Sequence, residues 1–131
     1  MLFIDASFYL ALLNSSDNNH GGAIAFGEKY GDEDYVTSHM VLGEVLTVGS
    51  QRFDRDLAIR FVEEIFRSRT KIVLEKRNLL VRAMEIFKNI KSKNVSWVDC
   101  YSFAVMEKLG IEKALTFDKD FARFGPKSLP L

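Results

Sequence analysis

Leu2-Phe3-Ile4-Asp5-Ala6-Ser7-Phe8-Tyr9-Leu10-Ala11-Leu12-Leu13 is an apolar triplet, an acid, and then apolar residues at helical spacing. A short run that is apolar on both faces suits a strand buried in a parallel sheet. Phe8, Ala11 and Leu12 start a helix directly after Asp5. The same order recurs later, where Ala114-Leu115-Thr116-Phe117 predicts a strand that meets Asp118. Between these two, Tyr35-Val36-Thr37 and Lys71-Ile72-Val73-Leu74 read as strands. Helices are expected from Ser38 to Ser50, Asp54 to Arg67, Asn78 to Ile90 and Ser96 to Leu109, the last closed by Gly110 as a C-terminal cap. Gly21, Gly22 and Gly27 weaken a further helix that ends near Tyr30. Lys119-Asp120-Phe121 reads as a cap or surface turn, and the tail from Gly125 leaves an extra edge strand open. Alternating strands and helices predict an α/β fold: a three-layer α/β/α sandwich with a central parallel sheet, in one domain over residues 1–131.

Composition bounds the function. A chain of 131 residues, 47% hydrophobic and 27% charged, supports one core and is too short for two ordinary domains. The lone Cys100 lies in an apolar run and is expected as a buried, reduced thiol. No apolar stretch is long enough to span a bilayer, and the start has no basic region before Asp5, so a cytoplasmic protein is expected. Net charge is zero but unevenly spread. Residues 1–50 carry one Lys and seven acids, whereas residues 51–93 carry twelve Lys/Arg and six acids. A basic middle beside an acidic start can form a phosphate-binding rim around a metal centre, or it can be ordinary solvated helix faces.

Four acids stand apart from the solvated majority. Asp5 and Asp118 end strands, where open α/β sheets collect ligands, although an Asp at that junction is also a natural helix cap. Asp120, two residues on, is a second candidate expected to face differently. Glu44 has Met40, Val41 and Val48 as its helical neighbours, which puts a carboxylate on an apolar stripe. Such a group needs a cationic partner or a metal. Asp99 fits a capping box with Ser96, yet its face continues to Phe103 and Met106 toward the core. Four carboxylates in one cleft would repel one another, and a divalent cation relieves that repulsion. An oxygen-only set selects Mg²⁺ or Mn²⁺, while His20, His39 and Cys100 offer no zinc spacing and the histidines are expected at the surface or in caps.

These residues resemble the PIN-domain nucleases, most of all the toxin members of the VapBC toxin–antitoxin systems. The likeness rests on Phe3-Ile4-Asp5-Ala6-Ser7, on Glu44 in a helix preceded by Thr37-Ser38, on Trp97-Val98-Asp99-Cys100-Tyr101-Ser102-Phe103-Ala104, and on Leu115-Thr116-Phe117-Asp118-Lys119-Asp120-Phe121. Their order and spacing fit across essentially the whole chain. The resemblance implies Mg²⁺ or Mn²⁺ bound by Asp5, Glu44, Asp99 and Asp118, with Ser7 and Thr116 steadying a carboxylate or bound water. It also implies cleavage of single-stranded RNA by metal-assisted hydrolysis, a homodimer, and a small antitoxin partner that inserts into the site. Within the same fold, an RNA-processing or RNA-decay nuclease and a non-catalytic RNA- or protein-binding scaffold are the alternatives.

Two unrelated classes of similar size fit less well. A phosphoacceptor receiver needs paired acids after the first strand and an acceptor Asp after the third, where this chain has a lone Asp5 and Leu74-Glu75-Lys76. A haloacid-dehalogenase phosphatase needs an Asp two residues after the first, where Ser7 stands.

Overall fold

A computed structural model describes residues 1–125 with their side chains and the backbone of residues 127–129. Its elements run β1 (Leu2–Ile4), α1 (Ala6–Leu13), α2 (His20–Lys29), β2 (Tyr35–Ser38), α3 (His39–Arg52) and α4 (Arg55–Arg67). They continue with β3 (Lys71–Val73), α5 (Arg77–Asn89), α6 (Trp97–Leu109), β4 (Lys113–Leu115), α7 (Lys119–Phe124) and β5 (Lys127–Leu129).

The strands form one parallel sheet in the order β3-β2-β1-β4-β5. The chain builds outward from β1 through β2 to β3, then crosses back to the other side of β1 for β4. Right-handed crossovers in these two opposite directions send α1–α4 to one face and α5–α7 to the other. Contacts among α1, α3 and α4, and separately between α5 and α6, agree with this division. The architecture is the expected three-layer α/β/α sandwich. Its topological switch point lies between β1 and β4, and there the diverging connections open a crevice beyond the carboxyl ends of the strands.

Local chemistry explains the boundaries. Asp5, Ser38, Asp54, Ser96 and Asp118 each accept an amide hydrogen bond as N-caps. Gly110 ends α6 at φ 66°, a left-handed conformation that glycine adopts without a Cβ clash. At Gly49 a Cβ would stand 2.9 Å from Leu13 Cδ2 and 3.3 Å from Ala58 Cβ, so glycine lets α3 close on α1 and α4.

Two readings left open are settled, and two helices prove apolar beyond the core. Of the cap and the surface turn, Asp118 takes the cap, at the start of the six-residue α7, and Phe121 from that helix packs on Phe103 at 4.8 Å between ring centres. The tail contributes a fifth strand, paired with β4. On α4 and α5 the apolar residues divide between core and surface. Ala58, Val62 and Ile65 are buried while Ile59 and Phe66 are exposed, and Leu79 and Ala83 are buried while Val81, Met84 and Phe87 are exposed. Both helices are apolar on more than one side, so periodicity alone could not say which side meets the sheet.

His20 and His39 are half-buried and bonded to backbone, their Nδ1 atoms lying 2.7 Å from the Ala11 carbonyl and 3.3 Å from the Val73 carbonyl. Cys100 is buried and unpaired.

Candidate metal centre

The crevice holds a cleft of about 240 Å³ lined by Asp5, Glu44, Asp99 and Asp118. The four acids arrive from four elements. Asp5 follows β1, Asp118 follows β4 by three residues, Glu44 stands in the second turn of α3, and Asp99 in the first turn of α6. Because β1 and β4 are neighbours, the residues after them come out side by side. Helices α3 and α6 touch each other and close the cleft from their two faces.

Asp5 is the most constrained of the set. It is 2% exposed, and its Oδ2 accepts the Ser7 hydroxyl at 2.8 Å and the Thr116 hydroxyl at 2.8 Å. Those hydroxyls each have one proton to give, so they act as acceptors toward the next strand connection. Ser7 Oγ receives the Phe117 amide at 2.9 Å and Thr116 Oγ1 receives the Asp118 amide at 3.0 Å. One carboxylate oxygen thus fixes the path of the chain into Asp118. Asp118 in turn caps α7, its Oδ1 accepting the Asp120 amide at 2.9 Å and the Phe121 amide at 3.4 Å.

Asp99 does both things its sequence offered. It completes the capping box, Oδ2 accepting the Ser96 amide at 3.0 Å, and it also lines the cleft while only 5% exposed. The hydrogen bonds that hold Asp5, Asp99 and Asp118 fall on Oδ2, Oδ2 and Oδ1 respectively. Asp120 is tied to the site through its amide, and its side chain is not among the cleft lining.

The electrostatics are those of an acidic cluster short of positive charge. Burial pushes Asp5 up from the ordinary carboxylate range, against the pull of the Ser7 and Thr116 hydroxyls, and Asp118 adds to the rise. Asp99 is pushed up to about 7, by burial first and then by Asp5 and Asp118. Glu44 is raised by burial and by the same two aspartates, with Arg52 alone pulling it down. Each proton taken up at these sites relieves repulsion, and a cation would relieve it equally. Among the described residues no three of these side chains are drawn together into a ready cage. The donor set itself, carboxylate oxygens without histidine or cysteine, suits a hard divalent cation.

Sequence reasoning did not single out Arg52 or Asn94, which also line this cleft, and it named Ser96 only as a cap and Val48 only as a helical neighbour of Glu44. Of the twelve basic residues in 51–93, Arg52 alone reaches the lining. The expected helix stopped at Ser50 whereas α3 runs on to Arg52, and nothing local separated this arginine from eleven other basic side chains.

A parallel sheet with an acidic crevice at its switch point defines the class, and comparison agrees: the PIN-domain family model matches residues 2–126, and the chain belongs to that family. Among curated proteins it is similar to the 23S rRNA-specific endonuclease VapC20 of Mycobacterium tuberculosis, found in two strains, with 33% identity over 125 residues and 95% of each chain covered. Among solved structures it resembles the crystal structure of M. tuberculosis VapC20, described as a Sarcin-Ricin loop cleaving toxin. The TM-score is 0.86 at 31% identity, covering 95% of both chains. Among the described residues no helix is long and apolar enough to cross a membrane.

Proposed function

We propose that this chain is a cytoplasmic, divalent-metal-dependent endoribonuclease that cleaves single-stranded RNA and serves as the toxin of a toxin–antitoxin pair, with a single PIN domain over residues 1–131. The observation that carries this reading is the cleft itself: four carboxylates, three of them with raised pKa values, share one crevice in a chain similar to a toxin endonuclease. Asp5, Glu44, Asp99 and Asp118 would hold Mg²⁺ or Mn²⁺. When bound, the cation supplies Lewis-acid activation of water and neutralises charge in an in-line displacement at phosphorus.

The chain's own residues prepare that site. Ser7 and Thr116 hold Asp5 ionisable in a buried position by donating to it, and together they fix the backbone that presents Asp118. Ser96 orients Asp99 from the helix start, while Asp120 supports Asp118 through its amide. A homodimer is supported by Val81, Met84 and Phe87, spaced three residues apart along α5 and exposed at 52%, 45% and 43%. Kinship with a toxin supports a small protein inhibitor that covers the cleft.

The test is cleavage of an unpaired RNA oligonucleotide and of a sarcin–ricin loop hairpin in Mg²⁺, Mn²⁺ or EDTA, comparing wild type with Asp5→Asn and Asp99→Asn. Cleavage by wild type alone, abolished by EDTA, is expected. Equal cleavage by all three proteins, or activity in EDTA, removes the reading.

A further inference from the structure

Four acids that gather metal also repel the polyanion a nuclease must hold, so the cleft needs a positive group beside them. Arg52 is the one cation among the residues lining it. It belongs to the last turn of α3, the helix that carries Glu44, eight residues further on. At the helical rise its Cα lies about 12 Å along the axis from that of Glu44, and side chains on a helix lean back toward its N-terminus. That lean carries the side chain back toward Glu44, and Arg52 lines the cleft together with the four acids.

Arg52 is also uncommitted. The ion pairs among the described residues join Arg67 to Glu63 and Glu64, and Arg82 to Glu85 and Glu107; none involves Arg52. No hydrogen bond from its side chain to a described residue forms either, and the residue is exposed. A solvent-facing guanidinium at the mouth of an acidic crevice, with its fork of donors unused, suits a phosphodiester oxygen pair. On the loop before α6, Asn94 adds a neutral donor and acceptor to the same lining.

We propose that Arg52 is the phosphate anchor of the cleft, holding the backbone of the RNA strand one or two nucleotides from the scissile bond. It is a positioning residue for the reaction proposed above and rests on that reading. The competing role is a cation placed at a helix C-terminus to suit the dipole, which would affect stability and leave RNA binding unchanged.

The test uses the full chain. KM and kcat for an unpaired RNA oligonucleotide in Mg²⁺ are measured for wild type, Arg52→Ala and Arg52→Lys. Binding of the same fluorescent oligonucleotide is followed by anisotropy at several salt concentrations in an Asp99→Asn background, where cleavage is blocked. Arg52→Ala is expected to raise KM and Kd about tenfold, with a smaller change in kcat. It should also flatten the salt dependence by about 0.7 in log–log slope, the value of one phosphate contact on a single strand. Arg52→Lys should recover the salt slope and part of the affinity. If wild type cleaves and the parent binds, yet Arg52→Ala leaves KM, Kd and slope unchanged, the anchor is wrong and the nuclease reading stands. If wild type neither binds nor cleaves RNA, the nuclease reading falls and the anchor with it.

Discussion

Replacing Asp99 with asparagine should make the metal-free protein more stable while removing its activity. Asp99 has a carboxyl pushed up to about 7 from a reference value of 3.8. A gap of about three units corresponds to about 4 kcal/mol between the two protonation states. The folded state prefers the neutral form, so the favourable contribution of this group is complete below pH 3.8 and is lost as pH rises through about 7. Asparagine stands in for the neutral carboxyl, and its Oδ1 can still accept the Ser96 amide that completes the capping box. In EDTA at pH 8, Asp99→Asn should therefore exceed wild type by about 2–4 kcal/mol, the lower figure allowing for repulsion shared with Asp5 and Asp118. At pH 5 the advantage should shrink to about 1–2 kcal/mol. The thermal midpoint should rise by about 6–14 °C at pH 8 for a chain of this length. Urea titrations of both proteins at the two pH values measure it. A variant no more stable than wild type at pH 8, or an advantage equal at both pH values, refutes the reasoning that burial and repulsion strain this acid.

Mg²⁺ or Mn²⁺ should raise the unfolding free energy of wild type at pH 8, by about 2.7 kcal/mol at one hundred times the dissociation constant, and should do little for Asp5→Asn; differential scanning fluorimetry reads both. Thr116→Val removes a donor to Asp5 and the acceptor of the Asp118 amide, so it should cost about 1–3 kcal/mol in urea unfolding. The same change raises the Asp5 pKa further, because a hydrogen bond to the ionised form is lost, and should move the acidic limb of the pH–rate profile to higher pH. Gly49→Ala should cost about 1–3 kcal/mol in the same assay with no change in metal binding, since its Cβ would press on Leu13 and Ala58 rather than on the cleft.

The central sheet was legible because its strands are short, apolar on both faces and bounded by acids or polar turns. Asp5 could be placed at a strand end for the same reason, whereas the strand expected to run to Phe117 stops at Leu115, so Asp118 stands three residues beyond β4 as the cap of α7. Asp99 was ambiguous in sequence because both of its readings are true: it closes a capping box and lines the cleft. Helix α7 escaped notice because six residues are too few to show a period. The exposed apolar residues of α4 and α5 could not be told from buried ones, since periodicity records where apolar residues lie and not what covers them. Arg52 was hidden among twelve basic residues because its distinction is spatial, a place beside four acids drawn from distant parts of the chain.

The bond between Thr116 and Asp5 joins residues 111 positions apart, and Ser7 reaches Thr116 across 109. Contacts of such sequence separation cost the most loop-closure entropy and form late in folding. The part of the chain from β1 to β3 carries two of the four acids and lacks the Thr116 hydroxyl that steadies Asp5. The fold thereby works as its own timer: the four carboxylates come together only when the two ends of the sequence do.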